Sequence, residues 1–190
     1  MQDRSRPLGK RFLLAVSLMV GMALLVAPAA NAAKLGGKTV LAPNTDTIGA
    51  LADAGITVAP TPNAKAGKNG LVFPITNGKV DLDAGTAKIN HSGGLSFSDH
   101  GTTLTLENFT VKVGKKNVLK AEVAGTDGAK IRLANLDLKK AKIKDKGDQA
   151  VIANVGVSLA RTAAKALTQT YGLPNLAGAD LGTAKVKVQP

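Results

Sequence analysis

From Ala87 to Val123 the chain falls into short runs in which apolar and polar residues alternate, and no other feature of the chain limits its fold as tightly. Leu95 and Phe97 alternate with Ser96 and Ser98, Leu104 and Leu106 with Thr105, and Phe109, Val111 and Val113 with Thr110 and Lys112. A period of two places one set of side chains on a buried face and the other in water, which is the pattern of half-buried strands. Asp99-His100-Gly101 makes the turn inside this block, and Gly114-Lys115-Lys116-Asn117 makes the next one before a strand from Val118 to Val123. Short strands joined by tight turns pair antiparallel.

The remaining segments repeat this pattern. Thr39-Val40-Leu41 is a strand stopped by Pro43, and Asn44-Thr45-Asp46 caps a short helix with Ile48, Leu51 and Ala52 on one face, ended by Gly55. Ile56-Thr57-Val58 is a further strand, and Pro60 to Gly70 a polar surface connection. Leu71 to Phe73 and Lys79 to Asp83 flank Asn77-Gly78, a dipeptide suited to a tight hairpin turn. Beyond the turn at Gly125 to Gly128, Ile131 to Leu133 and Leu136 to Leu138 continue the alternation. Lys139 to Lys146 is the densest basic run and reads as an edge strand whose lysines discourage edge-to-edge pairing. Val151, Ala153, Val155 and Val157 mark another strand, and Ser158 is a candidate cap for a helix carrying Ala160, Ala163, Ala164, Leu167 and Tyr171 on one face. Gly172 and Pro174 close that helix, and Ala184 to Val188 is the last strand. The expected fold is mainly β, an antiparallel β-sandwich or flattened barrel of about ten short strands with two short helices.

Arg4, Arg6, Lys10 and Arg11 precede an apolar run from Phe12 to Val26, followed by Pro28 and Ala30-Asn31-Ala32. This is the layout of a secretory signal peptide, so residues 1–32 are expected to be removed and 33–190 to form a single domain, secreted or extracellular and associated with the cell envelope. The 190 residues include no cysteine, so neither disulfides nor thiolate metal sites are available. The chain has 25 basic and 13 acidic residues; removing residues 1–32 takes away four and one, and leaves 21 against 12, a formal charge of +9. Nineteen of those 21 are lysines, whereas arginine is the residue that forks onto phosphates and base edges. Nucleic acid is therefore not an expected partner. An anionic envelope polymer or membrane surface is.

Catalytic signatures are missing: there is no Gly-x-Ser-x-Gly elbow, no cysteine nucleophile and no histidine pair at metal-ligand spacing, so the chain reads as non-catalytic. Asp81 and Asp83 lack the further carboxylates that calcium requires. The best candidate for a site is His91, followed at once by Ser92-Gly93-Gly94, where absent side chains allow a backbone bend or the approach of a flat ligand.

The motifs Gly85-x-x-x-Ile89-x-His91-Ser92-Gly93-Gly94-Leu95, Leu104-x-Leu106-x-Asn108-Phe109, Leu119-x-Ala121-x-Val123, Ile131-x-Leu133-Ala134-x-Leu136-Asp137 and the helix ending at Tyr171-Gly172 resemble, in this order, the HtaA-type domain of secreted and surface proteins of Gram-positive bacteria. The resemblance implies a β-rich extracellular domain that binds haem through a tyrosine phenolate supported by a histidine, and hands it to a membrane uptake system. His91 is similar to the supporting histidine, and the implied haem contacts are His91, Gly93, Gly94 and Tyr171. The sequence departs from the family in having no tyrosine between Ala33 and Gly70, where the family's ligand lies, and Tyr171 falls near a late aromatic position that packs. His91 as an axial ligand in its own right is the form of haem binding left open, and an envelope structural or adhesion domain without haem is the alternative.

Overall fold

The computed structural model describes residues 35–189, so the proposed signal peptide lies outside the described residues. In chain order the elements are β1 (Gly36–Pro43), α1 (Thr45–Asp53), β2 (Thr57–Pro60), β3 (Lys65–Gly67), β4 (Gly70–Asp81), β5 (Thr86–His91) and β6 (Gly94–Asp99). They continue with β7 (Thr102–Val113), β8 (Val118–Val123), β9 (Lys130–Asp137), β10 (Lys142–Asp145), β11 (Ala150–Leu159), α2 (Arg161–Tyr171) and β12 (Asp180–Gln189). Every strand pairing is antiparallel. The order β7-β5-β4-β1-β12-β11-β9-β8 is closed by pairing of β8 with β7, which makes an eight-stranded barrel. Closure leaves these eight strands without a free edge. β6 and β2 extend the wall beside β7, β10 prolongs it beside β11, and β3 lies against β4.

The expected sandwich or flattened barrel of about ten strands is thus a closed barrel within a set of twelve among the described residues, with the two helices in place. Strong curvature is needed to close eight strands, and register shifts in the wall supply it. They fall between Ile75 and Asn77, Glu107 and Thr110, Leu119 and Lys120, Ile152 and Val155, and Val157 and Ser158. At two of them an asparagine takes a left-handed backbone, Asn108 at φ 51° and Asn154 at φ 60°, which asparagine tolerates better than most residues.

Asn77-Gly78 does not form the expected hairpin turn but lies within β4, just past a register shift. A Cβ on Gly78 would stand 2.5 Å from the Lys88 carbonyl oxygen, so this glycine serves the close approach of β5. The turn falls instead at Leu82 to Gly85, where the Asp81 carboxylate accepts from the Ala84 amide and Gly85 sits at φ +61°. Ser158 is not a helix cap either. It remains in β11 opposite Asn135 and Asp180, and α2 starts after Ala160 without a side-chain cap. The connection from Pro60 to Gly70 contains β3. The basic run behaves as read, its strand β10 pairing with β11 alone.

The strand alternation separates a wet outer face from a dry inner one. Phe73, Ile89, Phe109, Leu133, Val155 and Val186 are all buried, and the rings of Phe73 and Phe109 meet across the interior with centroids 5.2 Å apart. Both helices belong to one end of the barrel. α1 follows β1 after Asn44, whose side chain accepts from the amides of Asp46 and Thr47, and α2 follows β11 and lays Ala163, Ala164 and Leu167 inward, where small side chains let it sit close to β9. The other end is built from the turns 82–85, 114–117 and 146–149 and carries no helix.

Two glycines test the packing in opposite directions. Gly94 faces the Leu106 carbonyl so closely that a Cβ would overlap it, and Gly94→Ala is expected to lower the stability measured by urea unfolding by roughly 2 kcal/mol or more. Gly49 in α1 has open space around it, and Gly49→Ala should raise stability by about 0.5–1 kcal/mol.

Candidate functional site

The inward side chains of the eight barrel strands do not fill the barrel; they leave a cavity of about 320 Å³. Its lining is apolar except for Thr47 at the helix end, Asp81 and Thr86 at the other end, and Thr39 with His91 between them. Ile48, Leu82 and Ile143 are the large apolar side chains that remain exposed among the described residues, and all three line this cavity. Ile48 stands at the helix end and Leu82 and Ile143 at the helix-free end, and Ile143, with 57% of its surface in water, is the most exposed of the three. The cavity therefore opens to solvent at the helix-free end.

His91 is 4% exposed and holds the middle of the barrel together. Its Nδ1 lies 3.3 Å from the Phe109 carbonyl oxygen on β7, and its Nε2 lies 2.7 Å from Thr39 Oγ1 on β1. A carbonyl can only accept, so Nδ1 carries the proton and donates, while Nε2 accepts from the threonine hydroxyl. Burial lowers the imidazole pKa from 6.5 to about 4, against a smaller upward pull from the Phe109 carbonyl, so the ring is neutral at pH 7. One side chain on β5 thus ties β7 to β1 across the barrel interior, with both nitrogens used.

The other candidate residues serve packing. Gly93 has φ +74°, and a Cβ there would stand 2.5 Å from the Ala64 amide nitrogen; with Gly94 it lets β6 turn away from β5 against the protein's own backbone. Neither lines the cavity. Tyr171 is also off the lining: its phenol donates to the Phe97 carbonyl at 2.5 Å and accepts from the Leu104 amide at 2.9 Å, which pins the end of α2 to β6 and β7. Burial raises its pKa above the usual phenol value. His100 lies in the exposed turn after β6 with its ring against the Asp99 carboxylate, so the two histidines do not meet.

A family profile described as Htaa matches residues 47–179. The chain belongs to the HtaA family. Three solved structures share this HtaA fold. The crystal structure of the C-terminal domain of HtaA from Corynebacterium glutamicum aligns with TM-score 0.57 and 18% identity over 82% of this chain and 98% of that one. The N-terminal domain of the same protein aligns with TM-score 0.56 and 13% identity over 81% and 96%. The domain-swapped dimer of a histidine-to-alanine variant of the C-terminal domain gives TM-score 0.54 and 17% identity over 76% and 87%. No curated protein sequence matches the chain significantly.

The haem chemistry implied for HtaA-type domains can be tested against the residues that surround His91. The side chain hydrogen-bonded to its Nε2 is Thr39, and a threonine hydroxyl stays protonated where a phenol can ionise. Tyr171, the chain's single tyrosine, has both its donor and its acceptor engaged away from the cavity. The residues present do not fit haem held through a phenolate. Thr39 is the functional residue that sequence reasoning missed: it stands 52 positions from His91, in a strand that shows nothing but ordinary alternation.

The buried imidazole sets a pH dependence. The unfolded chain binds a proton at His91 below pH 6.5 and the folded chain only below about 4, so the stability that His91 contributes is complete above 6.5 and is lost as the pH falls from 6.5 to 4. Urea unfolding at pH 7 and pH 4 should show a loss from this group of about 3 kcal/mol. His91→Gln should remove that share of the loss, and an unchanged pH profile would contradict the buried neutral ring.

Proposed function

We propose that this HtaA-family chain is a secreted, non-catalytic protein of the cell envelope, and that its barrel carries an apolar small molecule in place of a phenolate-bound haem. The observation that carries this reading is the cavity itself, about 320 Å³ and apolar from the helices to the open end. Small-molecule sites occupy roughly 300–1,000 Å³ and are mostly apolar, with a few placed polar groups. Apolar surface that faces water in an open cavity is stabilised when a guest buries it, by roughly 25 cal/mol per Å². Larger side chains at Ala87 and Ala184, both on the lining, would fill the space; the small residues there keep room for a guest.

The reading is tested by titrating the protein spanning 33–190 with a neutral apolar fluorophore that brightens out of water, and in parallel with haemin followed by absorbance. Saturable one-to-one binding of the fluorophore is expected, weakened at least about tenfold by Ala184→Phe, whose ring would occupy the cavity. Circular dichroism controls for folding. Haemin is expected to show no saturable Soret shift that depends on His91. Fluorophore binding indifferent to Ala184→Phe would overturn the cavity assignment, and a one-to-one Soret shift abolished by His91→Ala would make the protein a haem carrier with histidine ligation.

A further inference from the structure

The charges around the open end of the barrel define the kind of guest. Lys79 on β4 stands directly opposite Lys88 on β5, and Lys88 directly opposite Lys112 on β7, which makes a row of three lysines across three neighbouring strands. Each lies within two residues of a strand end at the open rim, at Asp81, Thr86 and Val113. On β1, the strand next to β4, Lys38 opposes Lys187 on β12, and Lys144 on β10 lies further along the same line, across Val151. Like charges set directly opposite one another in a sheet are destabilising. Here the pattern occurs twice in neighbouring strands of the wall, across β4-β5-β7 and across β1-β12.

No lysine of this row forms an ion pair between described residues, and the acids beside it, Asp81 and Asp83, stand at the Lys79–Lys88 end only. Asp81, Asp137 and Asp145 each accept from an amide of their own turn, at Ala84, Lys139 and Gly147. Between described residues, the one lysine–carboxylate ion pair is Lys130–Glu122, at the helix end. The cavity inside has no cation: its only ionisable side chains are the neutral His91 and, at the mouth, Asp81. A charged group would have to be desolvated to enter such an interior and therefore stays at the rim. Lysine stems lie along apolar surface while their ammonium groups reach for water or an anion, and Leu82 and Ile143 supply that surface at the mouth.

Resting on the carrier reading above, we propose that the guest is a single-chain anionic amphiphile, its apolar chain inside the barrel and its carboxylate or phosphate at the open rim beside the row Lys79, Lys88 and Lys112. Each methylene buried adds roughly fourfold to the affinity until the chain meets the helices. The headgroup adds charge attraction that neutral and cationic analogues lack. The same headgroup chemistry occurs on a free fatty acid and on a lipid in a membrane, and the rim fits both because it needs only the anion and the chain behind it.

The test is displacement of the neutral fluorophore by dodecanoate, dodecyl phosphate, dodecanol and dodecyltrimethylammonium, for the wild type, for Lys88→Glu and for the triple variant Lys79→Gln, Lys88→Gln, Lys112→Gln. The expected result is that the two anions displace it at least about tenfold more effectively than the cation at low ionic strength, with the gap narrowing towards about 0.5 M salt. The triple variant should lose the gap and keep its affinity for the fluorophore. Lys88→Glu should unfold at a higher urea concentration, because its charge now attracts Lys79 and Lys112, and should bind the anions more weakly. Transfer of a labelled single-chain lysophosphatidylglycerol between vesicles, faster with the wild type than with the triple variant, would identify a membrane as the source; dodecanoate binding without transfer would identify the free acid. Unchanged anion preference in the triple variant, with the fluorophore still bound, overturns this inference and leaves the carrier reading standing. Failure of every probe to bind removes both. Salt-sensitive retention on isolated cell walls that the triple variant loses while keeping wild-type dodecanoate affinity would assign the lysines to an anionic polymer and equally overturn it.

Discussion

The pairing of β7 with β8 is the contact on which the rest of this molecule depends. Without it the eight strands would form an open twisted sheet with two unpaired edges, and their apolar faces would need a second layer to cover them. With it the sheet covers itself, every inward side chain faces seven other strands, and two short helices suffice to cover one end. The left-handed asparagines and the shifted registers follow from the same demand, because eight strands close only if the wall bends sharply at a few points.

Closure also fixes the setting of the buried histidine. On an open sheet His91 would hydrogen-bond to its neighbours or to water; inside the barrel it reaches over β4 to Thr39 and ties non-adjacent strands. With one nitrogen donating and the other accepting, the ring leaves no buried polar atom unmatched, which is the condition for keeping a histidine in an apolar interior. A threonine at the far end of this link, where the family resemblance implies a phenol, keeps the architecture of an HtaA domain and changes its chemistry.

Two opposed surfaces meet at the helix-free rim: an interior almost without charge and an exterior where lysines face lysines. Each is unfavourable alone, the first as apolar surface facing water and the second as like-charge repulsion. An amphiphilic anion would relieve both at once, filling the void with its chain and the lysine field with its headgroup. At the helix end Lys130 pairs with Glu122, and α1 and α2 bury Leu51, Ala163, Ala164 and Leu167.

Much of the fold was legible because strand alternation is a local property. Phe109, Val111 and Val113 had to share a face, as did Leu104 and Leu106 before the register shift, Asn44 was a sound helix cap, Gly172 a sound helix end, and the Lys139 to Lys146 run a sound edge strand. The same local reading misplaced the turn at Asn77-Gly78 and the cap at Ser158, because neighbours distant in sequence overrode local preference: β5 presses on Gly78, and Asn135 and Asp180 hold Ser158 in a strand. Of the site, His91 was visible as a residue but its partner was not, since nothing in a strand of ordinary alternation marks Thr39 for contact 52 residues away. Gly93 and Gly94 were visible as glycines, while the backbone that occupies their missing side chains is supplied by Ala64 and Leu106. By itself, then, the sequence determined which residues turn inward, that strands dominate, and that the surface is lysine-rich. Closure, the cavity and the grouping of lysines at one rim were decided by the tertiary structure, because each depends on summing side chains over eight strands whose order no single segment encodes.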